Sequence, residues 1–219
     1  MGIISLERVD NLIWLGRYSE RVYLTIKEFF HCYDEMLDNP VKYKQYCDQL
    51  HIPMIYENPM DFVKRYVADE TVTDSILANL YRAYDNCIVL RNEIGTESMT
   101  YLELALDDLK SIQDFDSFLL DLQAVIDHIL AFWASLSENV VDYDVRDIIK
   151  LGQRQERLDL YLRLRKSQSD IQMAYRSLEH RLKKAKLPYD LKLMEELKHR
   201  VEKENIEYQI CVSCVEGLL

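Results

Sequence analysis

Glycine and proline are scarce in this chain, five and four in 219 residues. So few breakers, beside abundant Leu, Glu, Lys, Arg and Ala, argue for long helices, because these side chains lose little freedom on entering one. Common catalytic signatures are missing too. The sequence has no Gly-x-Ser-x-Gly elbow, no phosphate-cradling glycine loop and no His-Glu-x-x-His metal helix. No basic segment followed by an apolar core opens the chain, so no secretory signal is expected. Cys32, Cys47, Cys87, Cys211 and Cys214 are odd in number and lack scaffold spacing, which suits a reducing cytoplasm. The most apolar stretch, Phe118 to Leu136, is interrupted by Asp121, Gln123, Asp127 and His128, so no transmembrane helix is expected. Met1-Gly2 begins like a myristoylation site, but Leu6 stands where that pattern wants Ser or Thr.

Positive charge is in deficit: 27 Lys and Arg face 38 Asp and Glu, a net charge of -11. That repels phosphate backbones and argues against nucleic acid as a partner. The deficit is uneven. Residues 1–145 hold 11 basic and 26 acidic side chains, whereas residues 146–219 hold 16 and 12, so the two parts attract each other.

What is present is apolar periodicity. Leu12, Leu15, Ser19, Val22, Ile26, Phe30, Tyr33 and Leu37 form one stripe, predicting a helix from about Ser5 to Asp38, where Asn39-Pro40 stops it. Short helices are expected over Val41 to Leu50 and Met60 to Val67. A helix from Ser75 to about Asn92, capped by Asp74 or Thr73, should end before Gly95. Further helices are predicted from Thr96 to Ser111, from Asp116 to Leu136, from Asp144 to near Lys186, and from Tyr189 to Glu216. The expectation is one all-α domain over residues 1–219: a helical bundle with two long pseudo-symmetric helices and about four further ones.

The two long helices share a motif. Leu15-Gly16-Arg17-Tyr18-Ser19-Glu20-Arg21 recurs 136 positions later as Leu151-Gly152-Gln153-Arg154-Gln155-Glu156-Arg157. Flanking apolar positions align as well, Leu12 with Ile148, Ile13 with Ile149 and Val22 with Leu158. A glycine inside a helix costs about 1 kcal/mol relative to alanine, so two at matching places suggest close backbone approach where the helices cross. At about 100° per residue, Arg17, Glu20 and Arg21 lie opposite the apolar stripe, as do Gln153, Glu156 and Arg157 on theirs. These faces meet water or a second interface, and adjacent Glu and Arg, diverging on a helix, need partners elsewhere.

At these residues the chain resembles the alpha-E family, a helical domain named for its Glu-Arg motif. The opening Arg8-Val9-Asp10-Asn11-Leu12-Ile13-Trp14-Leu15-Gly16-Arg17-Tyr18-Ser19-Glu20-Arg21 is especially similar. Ser75-Ile76, Asp85-Asn86, Leu90-Arg91, Glu97 and the second Glu-Arg copy agree further, so the resemblance spans roughly residues 3 to 165. Two positions depart: Ile88 and Gln153 stand where the family commonly has arginine, and a ligand site needing the first of these cations would be incomplete here. The resemblance implies a bacterial protein often encoded beside, or fused to, ATP-grasp-type carboxylate-amine ligases and transglutaminase-like proteins. It thereby implies a part in making or modifying peptide-like amide products, as accessory, scaffold or enzyme, with such a ligase or transglutaminase-like protein as partner.

Arg17 and Arg21, one turn apart, offer forked donors that could hold a carboxylate or phosphate. Together with Glu20, Glu156 and Arg157 they could equally form a structural ion-pair network. The same two readings apply to Arg91 and Glu97, which flank Gly95. Glu28-x-x-His31 and Glu196-x-x-His199 have the spacing of di-iron bundle ligands. They fall away from the apolar stripes, so surface Glu-His pairs are expected, without metal, and no motif implies a cofactor. Cys211-x-x-Cys214 lacks a second pair and reads as coincidence. His51, His128 and His180 read as structural, His128 as a hydrogen-bonded core residue. Arg176, Arg181, Lys183, Lys184 and Lys186 read as a solvated face or a contact to the acidic amino-terminal part. Pseudo-symmetry yields the sharpest expectation: Glu20 near Arg157 and Arg21 near Glu156.

Overall fold

Ser5 starts the first helix by accepting the Arg8 amide on its side-chain oxygen. In the computed structural model, which describes residues 5–112, 115 and 117–219, this helix is α1, Leu6–Asp38. It is followed by α2 (Lys42–Leu50), α3 (Pro59–Ala68), α4 (Ile76–Val89), the single turn α5 (Arg91–Ile94) and α6 (Thr96–Ser111). Then come α7 (Phe118–Asn139), α8 (Tyr143–Arg163), α9 (Gln168–Ala185), α10 (Leu191–Val201) and α11 (Tyr208–Glu216). Eleven helices and no strand occur among the described residues, so the fold is all-α. The expected Met1-Gly2 opening and the Asp116 helix start lie outside the described residues.

Three boundaries differ from expectation, each for a local reason. The cap of α4 is Ser75, whose hydroxyl accepts the Ala78 amide at 3.0 Å, rather than Asp74 or Thr73. The helix expected to run from Asp144 to near Lys186 is two helices. Arg165 takes a left-handed φ of 50°, and the Arg165 and Lys166 amides donate back to the Leu162 and Tyr161 carbonyls. This is a Schellman stop made without glycine, so no breaker marks it. Ser167 then caps α9 by accepting from the Asp170 amide. The closing helix is likewise two, α10 and α11, parted at Glu202-Lys203-Glu204-Asn205, four residues with no apolar side chain to hold a turn onto the core.

The frame of the bundle is the crossing of α1 and α8, which touch along much of their length. α4 covers α1, α9 covers α8, and α6 and α7 pack on each other, with α7 also reaching α1. Phe29, Tyr46, Phe62, Tyr66 and Phe118 close the end of the core formed by α1, α2, α3 and α7, where the Tyr46 and Tyr66 hydroxyls bond at 3.0 Å. α11 is fastened to α8 by Gln155, whose amide donates to the Val215 carbonyl. α7 alone among the described helices is long and apolar enough to cross a bilayer, but Leu122, Val125, Ile129 and Phe132 on it are buried against the other helices.

The glycines show why the crossing is tight. A Cβ on Gly16 would lie 2.1 Å from the Ile149 carbonyl oxygen, and one on Gly152 would lie 2.1 Å from that of Ile13. The neighbour in each case is backbone, which cannot turn aside as a side chain would. Gly16→Ala and Gly152→Ala should therefore each destabilise by more than about 2 kcal/mol, despite gaining about 1 kcal/mol of helix propensity. Thermal unfolding read by circular dichroism should show a midpoint drop of at least about 4 °C for either variant. Equal or higher stability would refute the close-contact account.

Candidate functional site

Each motif glutamate sits four residues beyond its glycine, one helical turn past the point of closest approach. From there the Glu20 and Glu156 side chains reach across to the opposite helix, and both residues are completely buried. Arg157 Nε donates to Glu20 Oε1 at 2.5 Å. In the reciprocal pair Arg21 Nε donates to Glu156 Oε1 at 2.5 Å. Arg17 Nε adds a bond to Glu156 Oε2 at 2.8 Å. The faces left open between water and a second interface thus meet each other, and the expected reciprocal pairs are present.

The arrangement is pseudo-symmetric but unequal. Glu156 has a guanidinium on each oxygen, whereas Glu20 Oε2 is buried without a hydrogen-bond partner. The difference follows from one residue. The position equivalent to Arg17 is Gln153, buried but not bonded to Glu20. Burial pushes both carboxyls up, and at Glu156 the charges and hydrogen bonds of Arg21 and Arg17 overcome it, holding that group below the ordinary glutamate value. At Glu20 burial prevails over Arg157 and the carboxyl rises. Arg21 is held above the ordinary arginine value because Glu156 outweighs the burial that would lower it.

A neighbouring cluster continues along α8. Arg163 Nε donates to Asp159 Oδ2 at 2.8 Å, its Nη2 donates to Glu216 Oε1 at 2.7 Å, and its Nη1 lies 2.8 Å from His51 Nδ1. Burial, then the nearby Glu156, raises the Asp159 carboxyl. Sequence reasoning missed this group. Its only local signal is the Asp159-to-Arg163 spacing of four, common on exposed helices, and the His51 and Glu216 partners come from distant segments. Trp133 of α7 closes the other flank of the crossing, its indole N–H donating to Ser19 Oγ at 3.1 Å.

Other candidates are placed elsewhere. Arg91 and Glu97 are exposed and do not join the network, and Arg91 Nε instead donates to Thr96 Oγ1 at 3.1 Å. The two Glu-His spacings form no Glu-His pair: Glu28 accepts from Lys166 and Glu196 from Arg200, each at 2.7 Å. A cation with a long stem reaches these carboxylates where the histidine ring does not. His128 is half-buried beside Asp108 at 3.0 Å, not in the core. Arg181 pairs with Asp147 on α8 rather than with the acidic amino-terminal part. Cys211 and Cys214 are buried and reduced, and burial pushes the Cys211 thiol up to about 11, the opposite of a reactive thiol.

Chemically, the crossing is a clamp. Three guanidiniums neutralise two carboxylates that solvent does not reach, which joins α1 to α8 and leaves the glutamates no path to a substrate. Glu156→Gln should cost about 3–5 kcal/mol at pH 7, because it leaves Arg17 and Arg21 facing a neutral amide. Glu20→Gln should cost clearly less, about 1–2 kcal/mol, since folding already disfavours its charged form. Folding holds Glu156 below the ordinary glutamate value of 4.5, so its contribution is full above that pH and is lost as pH falls from there through the lower value of the folded state. Urea titrations should therefore show the Glu156→Gln deficit shrinking below about pH 4.5. A deficit no larger than that of Glu20→Gln would contradict the unequal pairing. Gln153→Arg, giving Glu20 Oε2 the donor that Arg17 provides in the other copy, should stabilise by about 1 kcal/mol in the same titration. Destabilisation would show that the two halves are not interchangeable there.

Comparison with known proteins agrees with this geometry. A family model named Alpha-E, described as a predicted alpha-helical domain with a conserved ER motif, matches residues 7–199. The match takes in α9 and most of α10, beyond the part that the motif copies alone suggested. No curated protein and no solved structure matches the chain. With both Glu-Arg copies closed on each other where α1 crosses α8, this chain belongs to the alpha-E family.

Proposed function

We propose that this chain is a non-catalytic helical module of a bacterial, cytoplasmic ATP-grasp or amide-ligase-type system that makes or modifies peptide-like products. One observation carries the non-catalytic part: the motif charges are spent on each other at the crossing, Arg157 on Glu20 and Arg17 and Arg21 on Glu156. The motif that defines the family is thereby architecture, and the module acts through its outer surface. Assignment to a ligase system rests on the resemblance, whose members often accompany ATP-grasp-type ligases and transglutaminase-like proteins.

The test is reconstitution. The chain should co-purify with the ATP-grasp-type ligase of its own bacterium, and ligase turnover on a peptide-like acceptor should change at least about fivefold when the chain is added, equivalent to about 1 kcal/mol. Neither association nor a change in turnover, with ligase and transglutaminase-like protein both tried, overturns the proposal.

A second reading, an enzyme or binding protein using the Glu-Arg faces for an anionic or peptide-like substrate, has one feature in its favour. Arg21 forms part of the wall of a cavity of about 280 Å³ with His51, Asp74 and Arg163. Turnover by the chain alone, abolished in Asp74→Asn while the fold persists, would favour it over the module.

A further inference from the structure

A second cavity, of about 190 Å³, opens between α7 and α8. One wall is apolar, made by Trp133, Leu136 and Ile149. The other carries Arg146, Lys150 and Arg154, spaced four apart so that they stand in a row on α8. Arg146 is engaged: its Nη1 donates to the Ser137 carbonyl at 2.7 Å and its guanidinium lies 4.4 Å from the centre of the Tyr143 ring. Lys150 and Arg154 form no ion pair among the described residues. Of the nearby carboxylates, Asp147 binds Arg181, and Glu20 binds Arg157 through Oε1 while acting on Arg154 only through its charge, with no ion pair between them.

Lys150 and Arg154, without ion pairs of their own, stand beside the further positive charge of Arg146, Arg157 and Arg181, and such local repulsion disfavours an empty cleft. The crowding is felt: burial, then Arg181 and Arg146, lowers Lys150, and burial, then Arg157, lowers Arg154. Comparison of the repeats shows that packing does not demand these charges. The positions equivalent to Lys150 and Arg154 on α1 are Trp14 and Tyr18, stacked with ring centres 5.1 Å apart. Aromatic side chains fill that place in one copy and free cations fill it in the other.

We infer that the cleft between α7 and α8 binds an organic carboxylate, its acid group held by Lys150 and Arg154 and a short apolar body lying against Trp133. The guanidinium fork matches the two oxygens of a carboxylate, with the ammonium as a second point charge. The apolar wall suits an alkyl chain better than the hydrated oxygens of a phosphate. A free acid and the side chain of an acidic peptide present this same chemistry. The inference stands independently of any ligase partner.

The test uses the intact chain with Trp14→Phe, which leaves Trp133 as the single indole reporter. Should that variant not fold, the indole N–H signals of the unaltered protein replace fluorescence. The probes are 4-methylpentanoate, acetate, inorganic phosphate and a glutamate-containing peptide amidated at its carboxyl end. A saturable Trp133 response to 4-methylpentanoate or to the peptide is expected, about tenfold weaker for acetate and for phosphate. The tighter of the two binders identifies the source as free acid or peptide side chain. Lys150→Met and Arg154→Met should each weaken binding about tenfold, and Lys150→Arg should retain it. Without ligand, Lys150→Met should unfold at a higher temperature than the parent, because it relieves the crowding, whereas a structural cation would give a lower one. No saturable response up to about 50 mM, an unchanged response in Arg154→Met, or phosphate binding more tightly than 4-methylpentanoate overturns the inference.

Discussion

A carboxylate removed from water must find its counter-charge where it is buried, and two of them at one helix crossing dictate much of what surrounds them. Glu20 and Glu156 meet that demand only because α1 and α8 come close enough for each helix's arginines to reach the other's glutamate. The closeness is set by Gly16 and Gly152, whose missing Cβ atoms leave room for the opposing carbonyls. Packing and electrostatics are therefore one constraint. Helices held farther apart would leave the charges uncompensated, and without the arginines the glutamates would favour separation. The rest of the bundle builds on this pair, with α4 laid on α1 and α9 and α11 on α8.

An apolar crossing could have held the helices together equally well, since replacing buried ion pairs by well-packed hydrophobic side chains is often neutral or stabilising. What the charges add is register. Leu, Ile and Val side chains accept several sliding positions, but shifting α8 by one turn along α1 would carry Glu20 away from Arg157 and leave Glu156 with one of its two guanidiniums. We read the repeated motif as such a lock, the role for which buried polar groups are best attested. On this view the clamp is confined to the interior and the outer helix faces are left to interact and to vary.

The helical class, the two long helices and their crossing were legible because the information is local or repeated. Apolar stripes have a period, the glycines recur at matching places, and the Glu-Arg pairs follow once the repeats are set face to face. What escaped depends on contacts between distant segments or on unusual stops. Arg165 ends α8 in a left-handed conformation that glycine normally takes, so no residue type announced it. The Arg163 cluster draws on His51 and Glu216, 112 and 53 residues away along the chain. Arg91 and Glu97 were candidates by resemblance and by flanking Gly95, but Gly95 with its φ of 78° turns the chain at the surface, leaving both exposed. Glu28 and Glu196 were matched with histidines by spacing, yet lysine and arginine reach them first.

Where the two copies stay alike and where they part is itself informative. They agree at the glycines, at the glutamates and at the two reciprocal arginines, the positions on which the crossing depends. Divergence starts one step outward, with Gln153 for Arg17, and is complete at the next layer, where Lys150 and Arg154 replace Trp14 and Tyr18. Loss of the Arg17 counterpart leaves a buried glutamate oxygen without a donor. Placing two free cations in a cleft adds repulsion. Both changes should cost stability, and neither is required for the helices to cross, since the first copy does without them. Buried unsatisfied groups and crowded charges of this kind tend to collect where a protein meets a ligand. The broken half of the pseudo-symmetry, along the outer face of α8, is accordingly the part of this scaffold in which to look for chemistry beyond holding the helices together.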